Sequence, residues 1–277
     1  MSDVCLITGA SSGIGKSISE KLINNDYIVY AVARRVERLK ELESLGAKTL
    51  FLDLRDESSI KSVVDRIVSD VGRIDILINN AGVGLLAPVK ETPIEKVREE
   101  FEVNFFGPLR LTQMVLPHMI KRKRGKIINI SSVSAKVSIL MYGWYSASKA
   151  AMEMVSDALR MEVKPFGIDV IVVEPGSVKS EWYRNATQYL DEITRGTHYE
   201  SVANHIIENM VKRQRGRVPS PDVVSNAILK IVKARNPKPR YILTSEAKLI
   251  LFLKWILPEQ IFYWILNNHF KNKWRSP

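Results

Sequence analysis

The sequence is short of the residues that mark a secreted, metal-dependent or membrane-spanning protein. Of 277 residues, one is a cysteine, Cys5. No disulfide can form within the chain, which favours a reducing compartment, the cytoplasm. Cys5 lies in an apolar run, where a small thiol packs rather than reacts. The four histidines, His118, His198, His205 and His269, show no metal-ligand spacing, so no metal is expected. The start, Met1-Ser2-Asp3, lacks the apolar stretch and cleavage site of a signal peptide. Two apolar runs near the end, 247–257 and 261–266, fall short of the roughly 18–20 residues needed to span a bilayer. Zinc-finger spacing, aromatic RNA-binding signatures and basic heptads are missing too. The net charge of +11 therefore reads as solvated lysines plus a phosphorylated small ligand, with no nucleic-acid partner. Its densest cluster, Lys121-Arg122-Lys123-Arg124, falls between a helical pattern and a strand, where cations suit a helix C-terminus.

What is present is an alternation of apolar strands and helix-length segments over one domain, 1–277. Strand 4–7 leads into Thr8-Gly9-Ala10-Ser11-Ser12-Gly13-Ile14-Gly15 and then a helical pattern. Strand, glycine turn and helix in that order make a phosphate cradle. The glycines let the backbone approach a pyrophosphate, and the helix N-terminus offers free N–H groups; a glycine turn without a ligand is the plainer alternative. Strand 27–33 ends at Arg34-Arg35 with no acid until Glu37. An acid there would take the ribose 2′-hydroxyl of NAD, whereas arginine accommodates the 2′-phosphate, so NADP(H) is expected. Asp53, before Leu54, ends the next strand and either binds an adenine amino group or caps a turn. Asn79-Asn80-Ala81-Gly82 ends another. A helix over 94–120 carries Asn104, a polar amide on a partly apolar face.

Strand 126–130 ends at Ser131-Ser132. The following helix carries Tyr145-Ser-Ala-Ser-Lys149, which puts a phenol and an ammonium on one face. A neighbouring cation lowers a tyrosine pKa, although this spacing alone arises by chance. Strand 168–173 runs into Glu174-Pro175-Gly176-Ser177-Val178-Lys179-Ser180. All these polar stretches follow strand C-termini, the ligand edge of an open parallel α/β sheet with helices on both faces.

With these motifs in this order, the sequence resembles the short-chain dehydrogenase/reductase family in its single-domain form, over roughly residues 4–180. The resemblance implies an α/β, doubly wound Rossmann fold with a seven-stranded, mostly parallel sheet in the order 3-2-1-4-5-6-7. It implies catalytic roles for Asn104, Ser132, Tyr145 and Lys149, with Tyr145 exchanging a proton with a substrate carbonyl or alcohol. Ser132 rather than Ser131 has the catalytic spacing, thirteen residues before Tyr145. The cofactor contacts it implies are Gly9, Ser11, Ser12, Gly13, Ile14, Gly15, Arg34, Arg35, Asp53, Leu54, Asn80, Ala81, Gly82, Asn104, Tyr145, Lys149, Pro175, Gly176, Val178 and Ser180. Serine at 180 departs from the threonine of many members but keeps the hydroxyl. Homodimers or tetramers are common in the family.

The substrate end is apolar. Leu140 and Tyr142 before Tyr145, and Trp182 and Tyr183 after Ser180, are expected to line a site for a steroid-, retinoid- or lipid-like carbonyl or alcohol. The segment 181–216 is expected to cover it. The apolar extension 245–277 either packs on the body, lidding the substrate site or burying a subunit interface, or touches a membrane surface; from residue 240 onward, six Lys/Arg stand against two Asp/Glu. The sequence looks most like hydroxysteroid, retinol and acyl-dihydroxyacetone-phosphate reductase members. The rival readings are a non-catalytic NADP-binding scaffold and a membrane-surface lipid ketone reductase.

Overall fold

The structure is a computed structural model that describes residues 2–216 and 218–268. Its centre is a seven-stranded sheet made of β1 (Val4–Thr8), β2 (Ile28–Ala33), β3 (Lys48–Phe51), β4 (Ile76–Asn79), β5 (Gly125–Ile130), β6 (Ile168–Pro175) and β7 (Arg240–Leu243). The order is β3-β2-β1-β4-β5-β6-β7. All six pairings are parallel, so the antiparallel edge that "mostly parallel" left room for does not occur.

Both faces of the sheet are covered, which is why its strands read as unbroken apolar runs. Along β1, Cys5 and Ile7 join the core on one face, and Val4 and Leu6 join that on the other. The first face is packed by α1 (Gly13–Ile23), α2 (Lys40–Ser44) and α9 (Asp222–Lys233), through Ile18, Leu22, Leu42, Ile228 and Ile231. The second is packed by α3 (Glu57–Val71), α5 (Gly107–Arg122) and the end of α6 (Gly143–Val163), through Ile60, Ile67, Leu111, Met119 and Val163. α3 shows why these segments start and stop where they do. Asp56 caps its first turn by accepting from the Ser58 N–H at 2.9 Å, and Gly72 ends it at φ 72°.

The tetrabasic run is the end of α5. Lys123 takes the left-handed conformation there, and Arg122 and Arg124 pair with Asp75 and Asp3. The helix expected over 94–120 is two helices, α4 (Ile94–Phe101) and α5, joined by a π turn at Glu102–Phe106. The helical pattern ran through the join because a π turn adds one residue without breaking the helix. Pro108 supplies the physical reason. It has no N–H to give the Asn104 carbonyl four residues earlier.

Residues 181–216 form α7 (Trp182–Thr194) and α8 (Glu200–Arg215). These pack on each other and on Leu86 and Met141 in a third core. β7 is tied to the body by Arg240, which reaches Glu153 at 2.6 Å, Glu174 at 2.7 Å and Asp157. The chain then continues through α10 (Ser245–Ile256) and α11 (Glu259–Asn268). Residues 269–277 of the expected extension lie outside the described residues. Among the described residues, no helix is long and apolar enough to cross a membrane.

Candidate active site

A cavity of about 750 Å³ opens along the carboxyl ends of the strands. Its first end is the glycine turn between β1 and α1. Gly9 (φ 67°) and Gly13 (φ 55°) hold left-handed conformations there. A Cβ on Gly9 would lie 2.8 Å from the Ala81 Cα, so the turn runs against the backbone that leaves β4. α1 opens with no side-chain cap at Ser12 and no acid in its first turn, which leaves its N-terminus suited to an anion. Ser11, Ser12, Gly13 and Ile14 line the cavity, whereas Gly15 does not. A Cβ on Gly15 would sit 2.3 Å from the Gly9 carbonyl oxygen, so this glycine serves the close contact of helix and loop.

The end of β2 brings Arg34, Arg35 and Arg38 to the same cavity. Arg35 reaches the Ser11 hydroxyl at 3.5 Å. Arg38 pairs with Glu181 across the opening at 2.7 Å. Asp53 faces the cavity beside Leu54, but its carboxylate is held by the Arg55 guanidinium and accepts the Arg55 N–H at 3.0 Å. Arg55 holds the Asp53 carboxyl below its ordinary value, with a smaller contribution from the Arg34 charge. Asn80 donates to the Thr8 carbonyl at 2.9 Å, and the Asn80 and Ala81 N–H groups both bond the Thr8 hydroxyl at 3.0 Å. Asn80, Ala81 and Gly82 are thereby fixed as a cavity wall. Pro175, Gly176, Val178 and Ser180 form the facing one. A channel with an uncapped helix end, a glycine floor and three arginines at one edge fits a phosphorylated dinucleotide.

At the second end, the structure separates the two serines. The Ser131 hydroxyl donates to buried Glu153 at 2.6 Å and is committed there. Ser132 accepts the Ser134 N–H at 3.1 Å and stands near enough to the Tyr145 phenol to draw its pKa down. Lys149, one helical turn after Tyr145, is buried and donates to the Ile130 carbonyl at 3.0 Å. Its ammonium lies 5.9 Å from the centre of the Tyr145 ring.

The expected lowering of the tyrosine by its lysine is not what the protein's own groups produce. Burial pushes the Tyr145 phenol well above its ordinary value, the Ser132 hydroxyl draws it partly back, and the Glu100 charge raises it. Desolvation of a phenolate outweighs a cation that is turned to a carbonyl. Burial also pushes Lys149 down to about 8, against the opposing charges of Glu100 and Glu153.

Asn104 sits in the π turn behind this pair rather than on the cavity wall. Its amide donates to the Val83 carbonyl at 2.9 Å and the Ser148 hydroxyl at 3.1 Å, and its carbonyl accepts the Val83 N–H at 2.8 Å. A Cβ on Gly82 would come within 3.3 Å of the Asn104 Oδ1 and 3.4 Å of the Lys149 Nζ. The two polar groups therefore flank one small space beside Gly82 that a Cβ there would crowd, suited to a relay between them.

Sequence reasoning missed Glu100. It lies one turn before Asn104, and its buried Oε1 accepts from the Leu85 N–H at 3.0 Å and the Asn104 amide at 3.3 Å. Oε2 has no hydrogen-bond partner. Burial pushes the carboxyl up to about 7, and Lys149 draws it down. The signal was available: a glutamate four residues before Asn104 on the same helical face.

The substrate end holds Tyr142, Trp182 and Tyr183, but Leu140 packs in the third core instead of lining the cavity. Trp182 stacks on Tyr145 with ring centres 4.9 Å apart. It lies so close to Gly84 that a Cβ there would fall 2.1 Å from the indole. Met210 of α8, Ile250 of α10 and Leu266 of α11 complete the wall. Met210 lies in the segment expected to cover the site; that Ile250 and Leu266 reach it as well is decided by long-range packing. Among the described residues, no cluster of His, Cys, Asp and Glu side chains could hold a metal ion.

Comparison with known proteins agrees with this geometry. The short chain dehydrogenase family model matches residues 3–190. The chain is similar to a 3-ketodihydrosphingosine reductase of Bacteroides thetaiotaomicron, at 37% identity over 84% of this chain and 85% of the relative. It is similar to an NADPH-dependent 3-dehydrocapnine reductase of Ornithobacterium rhinotracheale, at 32% identity over 93% and 95%. Among solved structures, a short-chain dehydrogenase from Streptomyces avermitilis superposes with a TM-score of 0.80 and 32% identity, covering 92% of this chain and 93% of its own.

Proposed function

The chain belongs to the short-chain dehydrogenase/reductase family, and from that premise we propose that it is an NADP(H)-dependent reductase of a ketone on a long-chain, lipid-like substrate, with Tyr145 as general acid. The observation that carries this reading is the convergence of Ser132, Tyr145 and Lys149 on one end of a cavity whose other end is the α1 glycine turn. Support for the substrate class comes from the apolar wall around Tyr145 and from the two relatives, whose names describe reductases of 3-keto and 3-dehydro compounds. Support for NADP(H) comes from Arg34, Arg35 and Arg38 at the end of β2 and from the NADPH dependence in one relative's name.

The nicotinamide, when bound, supplies the hydride. The protein's part is to hold and move the proton. The raised phenol keeps Tyr145 protonated at neutral pH, the form needed to protonate a carbonyl oxygen. Ser132, beside the phenol, is placed to donate to the same oxygen as charge grows there. Once the phenol has given up its proton, the Ser132 hydroxyl stabilises the phenolate. With its ammonium drawn to about 8, Lys149 releases and regains a proton readily, and Asn104 beside it is placed to position a water that relays that proton.

The test is NADPH oxidation over a panel of long-chain 3-keto compounds. Tyr145→Phe is expected to lose about 10²–10⁴-fold in kcat; full turnover by that variant sinks the acid assignment. Arg34→Ala is expected to raise KM for NADPH and leave KM for NADH little changed. An unchanged ratio of the two removes the cofactor preference.

A further inference from the structure

α10 and α11 have two unlike faces. Inward, Ile250 and Leu266 line the active-site cavity, and Ala247 and Phe262 are buried. Outward, Leu249, Phe252 and Trp255 recur at helical spacing on α10, and Ile261, Trp264 and Ile265 do so on α11; all six are exposed. Trp255 keeps 82% of its surface in solvent and Trp264 64%. Single exposed apolar residues are ordinary, but two consecutive helices carrying such a face mark an interaction surface.

We propose that this face docks on the surface of an anionic phospholipid bilayer, which holds the substrate cavity close to the lipid. Three observations select a bilayer over a second copy of the chain. The helices are too short to cross a membrane and are joined through Pro258, so they suit the interface plane. Two tryptophans head the exposed face, and indoles settle at the headgroup level. The charge is complementary to anionic lipid. Lys248 stands exposed beside the apolar face, whereas the Lys254 ammonium turns to the Lys136 carbonyl; the sequence after α11 carries Lys271, Lys273 and Arg275 interleaved with Phe270 and Trp274. Because Ile250 and Leu266 belong to the same two helices, a docked protein receives an apolar substrate from the bilayer without passing it through water. This delivery rests on the proposed lipid-like substrate; the docking itself does not.

The experiment uses the full chain and a Trp255→Ser/Trp264→Ser variant. Neither tryptophan lines the active-site cavity. Each protein is sedimented with vesicles of phosphatidylcholine alone and of phosphatidylcholine mixed with phosphatidylserine, and turnover of a short, water-soluble ketone is measured separately. The wild type is expected to pellet with the mixed vesicles and to be released by salt. The variant is expected to lose at least tenfold in partition while keeping its turnover of the soluble ketone. A wild type that stays in the supernatant with both vesicles overturns the proposal, as does a variant that partitions equally. So does a wild-type dimer in size-exclusion chromatography that the variant breaks into monomers, because the face then belongs to a second copy. Vesicle binding without ketone turnover would sink the reductase reading and leave the docking standing.

Discussion

Replacing Glu100 by glutamine should change how stability depends on pH, and the size of the change follows from the burial of this carboxyl. Glu100 has one oxygen bonded to the Leu85 N–H and the Asn104 amide, and the other has no partner. Its folded-state value is about 7, against an ordinary 4.5. A group raised on folding contributes stability that is fully present below its unfolded value and is lost as pH rises through its folded value. At about 1.4 kcal/mol for each pH unit of the gap, and with part of the change already past by pH 5, the wild type loses roughly 2–3 kcal/mol from this one group between about pH 5 and about pH 8. Glutamine keeps an oxygen for the Leu85 N–H and cannot ionise. Urea unfolding of wild type and Glu100→Gln across that range should therefore show the variant gaining on the wild type by about 2 kcal/mol as pH rises. Parallel stability curves would refute the reasoning, since they would mean that Glu100 titrates alike in the folded and unfolded chains. The same variant removes a charge that raises Lys149. The alkaline limb of its kcat/KM profile should move to lower pH.

The other expectations concern neighbours whose roles the structure separates. Ser132→Ala should cost about 10²–10³-fold in kcat with little loss of stability. Ser131→Ala should do the reverse: it leaves Glu153 short of a buried donor, at about 1–3 kcal/mol in urea unfolding, and changes kcat only a few-fold. If both serines affect turnover equally, the assignment of Ser132 fails. Gly84→Ala places a methyl group against the Trp182 indole and should push that ring off Tyr145. A loss of about 1–3 kcal/mol, with a higher KM for a long-chain ketone, is expected; a variant indistinguishable from wild type would show that Trp182 is not held there.

Much of the architecture was legible because it depends on periodicity and on turn chemistry. Strands buried on both faces read as apolar runs. What was not legible depended on groups far apart in the chain. The break at Asn104 is written in Pro108, yet a helical pattern passes through a π turn without a visible gap. Asp53 was an open choice between adenine and a turn, and only the placement of the Arg55 guanidinium showed how far that carboxylate is already engaged. Leu140 looked like a substrate contact on spacing alone, but α7 and α8 draw it into a core of their own.

By itself, the sequence determined the kind of fold, the strand ends at which chemistry would gather, and the residues able to bind a dinucleotide and move a proton. These follow from local rules: side-chain period, glycine freedom, helix ends. The spacing to Tyr145 already favoured Ser132; only the tertiary structure showed where Ser131 is engaged instead, because Glu153 takes it from a helix 22 positions away. It alone showed that the phenol and the lysine are shifted in opposite directions, since desolvation depends on everything packed around a group. It alone folded α10 and α11 back to the cavity, with one face lining it and the other left in solvent. An apolar period shows that a helix has two faces; what each face meets depends on contacts between distant parts of the chain.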